Sequence, residues 1–260
     1  MRMDKDAALA LYDRELRREA GPMEPGAVVE RDGSVVRHVA AANGWSAVLW
    51  SDLDEAGADA AIAAQVARFT ELGQEFEWKH HDHDRPADLP ERLLAAGFTA
   101  EPAETVMVAE TAAQAVPVEL PAGVHLRTEN DEEALRLVAE VHRVAFEDDP
   151  SRLVERLRVQ LAEAPDTLRL VVAMAGDRPV SAARLETVPG VSFAGLWSGG
   201  TLPEWRGRGI YRALVAHRAA VAAELGYPYL QVDAAPTSRP ILQRLGFTPL
   251  TVTTPFTFTP

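Results

Sequence analysis

The stretch "GLWSGGTLPEWRGRGIYRALVAHRAAVAAELG", residues 195–226, constrains the fold more than any other part of the chain. An apolar segment with strand character runs into a turn where glycine alternates with arginine, and the turn runs into an alanine-rich segment. Ile210, Leu214, Val215, Val221, Ala222 and Leu225 recur near the 3.6-residue period of a helix, and Gly226 stands where such a helix would stop. A strand, a glycine turn and a helix start make an anion site, because the unsatisfied N–H groups of the first turn and the helix dipole face the same way. Gly207 and Gly209 keep side chains away from an approaching diphosphate, and Arg206 and Arg208 supply charge for its oxygens. A solvated basic turn would carry the same letters, but the position between strand and helix favours the anion site. The turn lacks the lysine followed by Ser or Thr of a nucleoside-triphosphate loop and the G-x-G-x-x-G of a dinucleotide fold.

The remaining composition narrows the classes. At 260 residues, 47% hydrophobic and 25% charged, the chain has the balance of a soluble globular protein with one large domain or two modest ones. It contains no apolar run near the ~20 residues that cross a bilayer, so no membrane span is expected. The opening "MRMDKDAALALYDRELRREAG" mixes acidic with basic groups, reads as a mature helix and not a leader, and leads us to expect a cytoplasmic protein. With no cysteine, disulfides, thiolate nucleophiles and cysteine-held metals are excluded. The net charge of −13 is uneven: residues 1–120 hold 23 acidic and 11 basic side chains, residues 121–260 hold 16 and 15. An acidic half of this kind disfavours a nucleic-acid partner.

Along the chain, "TAAQAVPVELPAG" from residue 111 reads as a linker, which predicts domains at 1–115 and 120–260. The second segment reads as a short strand at 124–127, a helix from about Asn130, a second helix after "EDDPSR", and a three-strand meander through "LRLVVAM", "VSAARLET" and "VSFAGLWSGGT". The glycine turn and its helix follow, then the strand "YLQVDA", a short helix in "RPILQRLGF" and a threonine-rich strand. The class is α/β, of the α+β kind. The first half repeats parts of this plan: "VLWS" matches "GLWS", and "LPERLLAAGF" matches "RPILQRLGF" at a similar distance downstream, which predicts two tandem copies.

Residues 123–250 resemble the GNAT superfamily of acyl-CoA N-acyltransferases. The family's phosphate loop, R/Q-x-x-G-x-G/A, is met by Arg206 and Gly209, with Tyr211 in the place of the last small residue. The resemblance implies a twisted mixed β-sheet flanked by helices, with acetyl-CoA as acyl donor in a cleft where two neighbouring strands splay. It makes Thr201, Leu202, Arg206, Gly207, Arg208, Gly209, Ile210 and Tyr211 the cofactor-binding candidates. It also implies transfer of an acetyl group to an amine of a small molecule. A backbone N–H on the strand before the loop would polarise the thioester carbonyl, and a tyrosine would supply the proton to the thiolate. That tyrosine position is Leu242 here, and the frequent asparagine corresponds to Thr237, so the candidate acid is Ser238 or a water, with Ser238 otherwise read as bonding its own loop. Glu186, on a strand expected to face the cleft, is the candidate base. The acidic first half favours a cationic acceptor, which Glu147, Asp148 and Asp149 could draw, although these three residues read equally as a helix cap. The first half is then a worn copy whose Asp52, Asp54, Glu55 and Asp59 would repel the donor's phosphates, leaving one competent site per chain. The missing tyrosine also admits a non-catalytic acyl-CoA binding or sensing module. One motif stands apart: "KHHDHD", residues 79–84, carries ligand-type side chains, but one short segment rarely builds a tetrahedral site. No metal is expected, and the segment is read as a hydrogen-bonded loop between domains.

Overall fold

A computed structural model describes residues 3–41 and 44–260. In chain order the strands are β1 (Val28–Asp32), β2 (Val35–Val39), β3 (Ala47–Ser51), β4 (Phe76–His81), β5 (Thr99–Ala100), β6 (Glu104–Glu110), β7 (Val124–Arg127), β8 (Leu168–Ala175), β9 (Arg178–Thr187), β10 (Phe193–Thr201), β11 (Tyr229–Ala234) and β12 (Thr248–Phe258). The α-helices are α1 (Lys5–Tyr12), α2 (Ala58–Leu72), α3 (Leu89–Ala95), α4 (Thr111–Gln114), α5 (Glu132–Phe146), α6 (Ser151–Glu163), α7 (Ile210–Glu224) and α8 (Arg239–Arg244). The expected class, a mixed sheet flanked by helices, is what the chain forms.

The chain divides into two compact units, one of residues 1–107 with 233–260 and one of residues 108–232. This differs from the boundary expected at 115–120. The reason is β12, which pairs antiparallel with β4 from Thr253 opposite His81 to Phe258 opposite Phe76, so the threonine-rich strand completes the sheet of the first unit. A linker read from prolines reports where the backbone is irregular; it does not report which strand a later segment will join.

In the second unit the strands run β7-β8-β9-β10-β11, antiparallel up to β10 and parallel between β10 and β11. Alternate residues of β8 face opposite layers, and β9 does the same apart from a register shift near Val180. Leu168, Leu170, Val172 and Ala182 pack with Leu135, Val138 and Val141 of α5 and Leu157 of α6. Val171, Ala173, Val180 and Ala183 pack with Ile210 and Leu214 of α7. The start of α5 is set by Asp131, whose carboxylate accepts from the Ala134 N–H at 2.8 Å.

The first unit repeats part of this arrangement. Its β3 and β4 are parallel, as β10 and β11 are, and both pairs are linked through a 15-residue helix, α2 or α7. The turn after the next helix also matches: the Phe98 N–H donates to the Leu93 carbonyl at 3.1 Å, and the Phe247 N–H to the Leu242 carbonyl at 3.0 Å. Both phenylalanines are buried, and both leucines are fully enclosed.

The histidine-rich segment also lies within the first unit, which corrects its expected place between domains. Arg17, in the π-helical turn after α1, grips Asp84 with two hydrogen bonds of 2.6 and 2.7 Å and Asp13 with one of 2.7 Å. His83 reaches Asp13 at 2.8 Å, and His81 meets the Tyr12 hydroxyl at 3.3 Å. These side chains tie the first helix to the sheet. Among the described residues no cluster of His, Asp or Glu could hold a metal, and no helix is long and apolar enough to cross a membrane.

Candidate active site

The glycine turn lies between β10 and α7. Leu202 is anchored by its N–H, which donates to the Val180 carbonyl at 2.9 Å, and Pro203–Trp205 form one 3-10 turn. Arg206, Gly207, Arg208 and Gly209 are then exposed. Gly207 and Gly209 have φ of 75° and 83°, and a Cβ at either would meet nothing within 4 Å, so it is backbone conformation and not space that requires glycine. Gly209 caps α7 without any side-chain bond, which leaves the first-turn N–H groups facing outward. The arginines are oriented by the turn itself. Arg206 Nε donates to the Thr201 carbonyl at 3.0 Å, and Arg208 Nη2 donates to the Glu204 carbonyl at 3.1 Å while its guanidinium sits 4.6 Å from the Trp205 ring centre. Glu204, the one carboxylate of the turn, is paired with Arg178. N–H groups, a helix dipole and two positioned cations thus converge without a competing anion, the donor set a diphosphate needs.

The corresponding turn of the first unit is closed. There the Asp54 carboxylate accepts from the Gly57 N–H at 2.7 Å, so the start of α2 carries an anion of its own.

Upstream of the glycine turn, β10 is distorted. Its pairing with β9 slips between Trp197 and Gly200, and Ser198 adopts a φ of 45°, which costs a side-chain-bearing residue about 1–2 kcal/mol. The parallel register with β11 covers Phe193, Ala194 and Gly195 and ends there, ahead of the slip. Tyr211 turns its ring back onto this region: a Cβ on Gly199 would lie 2.8 Å from the ring. Glycine at 199 therefore makes room for the ring that replaces the small residue of the family pattern. Thr201 is held by Ser181, whose hydroxyl lies 2.8 Å from its own.

A charged cluster lies beneath the slip. Arg184 donates from Nε to Glu186 and from Nη1 to the Ser198 hydroxyl, and Arg156 approaches Glu186 at 3.6 Å. Burial alone would raise the Glu186 pKa, yet the two arginines outweigh it and hold the carboxyl below its ordinary range. On the α7 side, buried Arg218 donates to the carbonyls of Leu214 and Arg184, both at 3.0 Å, and burial pushes its pKa down to about 10.

The structure brings the cofactor-loop candidates, Thr201, Leu202 and Arg206 to Tyr211, into one continuous turn. It places the two catalytic candidates differently. Glu186 is half-buried, with Arg184 bonded to its Oε1 and Arg156 approaching the same oxygen, surroundings suited to an anchor for Arg184 more than to a base. Ser238 belongs to the first unit, starts α8 and bonds the Ala235 carbonyl at 3.1 Å, closing its own turn. Leu242 is fully buried and offers no proton. Asp149 caps the start of α6 through the Ser151 N–H and hydroxyl, at 3.2 and 2.7 Å. Sequence reasoning missed Arg184, Ser198, Arg218 and His142. The last is a lone histidine on α5 whose Nδ1 is buried without a hydrogen-bond partner among the described residues. No motif marks any of them, because their relation depends on strand register and helix phase.

The profile of the GNAT acetyltransferase family matches residues 132–247. Among solved structures, a GCN5-related N-acetyltransferase from Kribbella flavida is 18% identical with a TM-score of 0.68, over 97% of this chain and 93% of that one. A conserved protein of unknown function from Staphylococcus epidermidis is 12% identical with a TM-score of 0.67, over 90% and 94%. A tandem GNAT protein from the clavulanic acid biosynthesis pathway is 14% identical with a TM-score of 0.62, over 99% and 96%. At these identities the likeness is one of fold. No curated protein matches the chain.

Proposed function

The chain carries a GNAT-family acetyltransferase domain at residues 132–247, and from that premise we propose that it transfers an acetyl group from acetyl-CoA to an amine nitrogen of a small molecule. The observation that carries this is the turn at 201–211: uncapped N–H groups of α7 behind two left-handed glycines, flanked by Arg206 and Arg208. Those groups would hold the donor's diphosphate, and the donor supplies the activated acyl thioester. The thioester carbonyl would lie against β10 where its pairing with β9 slips between Trp197 and Gly200, and a backbone N–H there would polarise it, as an oxyanion site does. The first unit is read as a second, worn copy, because its parallel strand pair, its linking helix and its Phe98 turn repeat those of Phe247, while Asp54 fills its would-be loop. One donor binds per chain on this reading, which fits a cytoplasmic enzyme drawing on coenzyme A thioesters and not a protein acting on nucleic acid or membrane.

Calorimetry with acetyl-CoA and CoA tests the premise, with one site per chain expected. A charge-reversed Arg206→Glu variant should lose most of the heat, and thiol release with a panel of amines should show turnover. A second reading, acyl-CoA binding without catalysis, is favoured by one observation, the buried Leu242 at the position of the usual proton donor. Binding without thiol release from any amine would select it.

A further inference from the structure

We infer that His142 is the general base of the acetyl transfer, and that the acceptor is a primary amine with an apolar body resting on Phe146. The inference rests on the acetyltransferase reading and adds to it the base and the acceptor class.

The geometry begins with α5. Leu135, Val138 and Val141 bury one stripe of the helix, which fixes the rotation that the next turn inherits. His142 and Phe146 are four residues apart and share a face, their ring centres 4.7 Å apart. Phe146 stays 45% exposed although its ring edge lies against β10, where a Cβ on Gly200 would come within 2.8 Å of it. A large apolar surface thus stands open beside the interrupted strand, with an imidazole one turn before it.

The imidazole is set up as an acceptor. Its Nε2 lies 3.9 Å from the Asp148 carboxylate, too far for a hydrogen bond but near enough to favour the N–H on that side. Nδ1 then carries the lone pair, and it is buried with no donor among the described residues. An acceptor N–H would supply the missing donor. Glu186, the other basic group nearby, is ion-paired at Oε1 with Arg184 and approached there by Arg156, and the two cations make it a weaker base than a free carboxylate. The groups that act on His142 are Asp148 on the following loop and Arg184 on β9, the latter paired with Glu186. Burial first, and Arg184 in addition, lower the imidazole pKa against the opposing pull of Asp148, so the base is neutral near pH 7.

The step balances with the groups named. His142 Nδ1 takes one proton from the acceptor ammonium, and the neutral nitrogen attacks the thioester carbonyl carbon. The C–N bond forms, the C–S bond breaks, and the thiolate leaves with the electron pair. The second nitrogen proton reaches the thiolate through solvent, and the imidazolium returns its proton to solvent. Exposed Glu147 and Asp148 draw the ammonium to this end of α5.

The test compares the full chain with H142Q, H142N and F146A, using acetyl-CoA and 2-phenylethylamine or ethylamine as acceptor. Expected for both histidine variants are a kcat lower by about 100-fold, loss of the acidic limb of the pH–rate profile, and acetyl-CoA affinity within about twofold of the parent, a fold-preserved baseline. F146A should erase the preference for phenylethylamine. In the protein without ligand, the His142 imidazole signal should titrate below the ordinary histidine range. Unchanged kcat and pH profile in H142Q and H142N, or a His142 titration at or above the ordinary range, would overturn the base while leaving the transferase standing. An F146A variant that keeps the preference overturns the acceptor class. No heat with acetyl-CoA and no thiol release from the parent overturns the transferase and the base together.

Discussion

Arg184 donates to the hydroxyl of Ser198, the residue whose left-handed backbone interrupts β10. The contact ties a strained position to a buried ion cluster, so the interruption is enforced by side chains as well as by the pleat. Removing the arginine leaves Glu186 with the more distant Arg156 alone. R184M should therefore lose about 1–3 kcal/mol, the cost of leaving a half-buried carboxylate short of its main partner, read as a lower denaturant midpoint.

Glu186 gives the same cluster a pH signature. Its folded-state pKa is depressed, so its stabilisation is fully present above the unfolded value near 4.3 and fades as pH falls through the folded one. Denaturation curves from pH 6 to pH 3 should show that acid limb in the parent and a shallower one in E186Q.

Glu104 has the opposite sign. Burial first, with Asp233 and Glu77 adding and Lys79 opposing, pushes it up to about 7. A raised folded-state pKa contributes stability below the unfolded value and loses it as pH rises to the folded one. The first unit should weaken between about pH 4.3 and 7, and E104Q should be the more stable protein at pH 8, seen as a higher Tm there.

Gly207→Ala and Gly209→Ala place a Cβ in open space on a left-handed backbone. Each should cost about 1–2 kcal/mol from conformation alone and weaken CoA binding. Asp54→Ala in the first unit should cost about 1 kcal/mol through the lost Gly57 bond and leave acetyl-CoA binding unchanged; stoichiometry by calorimetry separates the two turns.

Much of the second unit is legible in the sequence. The alternation of "LRLVVAM" and "VSAARLET" and the period of 210–225 are local signals, and β8, β9 and α7 follow them. The cofactor turn is legible for the same reason: glycines with positive φ are chosen by their own backbone. Glu186 and Ser238 show the limit. A carboxylate on a strand and a serine in a loop are placed by what lies across the sheet or along the turn, and there Glu186 meets two arginines and Ser238 meets Ala235. His142 carries no local signal, because an orphaned ring nitrogen is a property of packing.

The pairing of β12 with β4 sets an order of events during synthesis. Residues 108–232 are translated before the strand that completes the earlier unit. What the ribosome begins first is thus finished last, and until Thr253–Phe258 arrive, β4 presents an open edge that another chain could pair with.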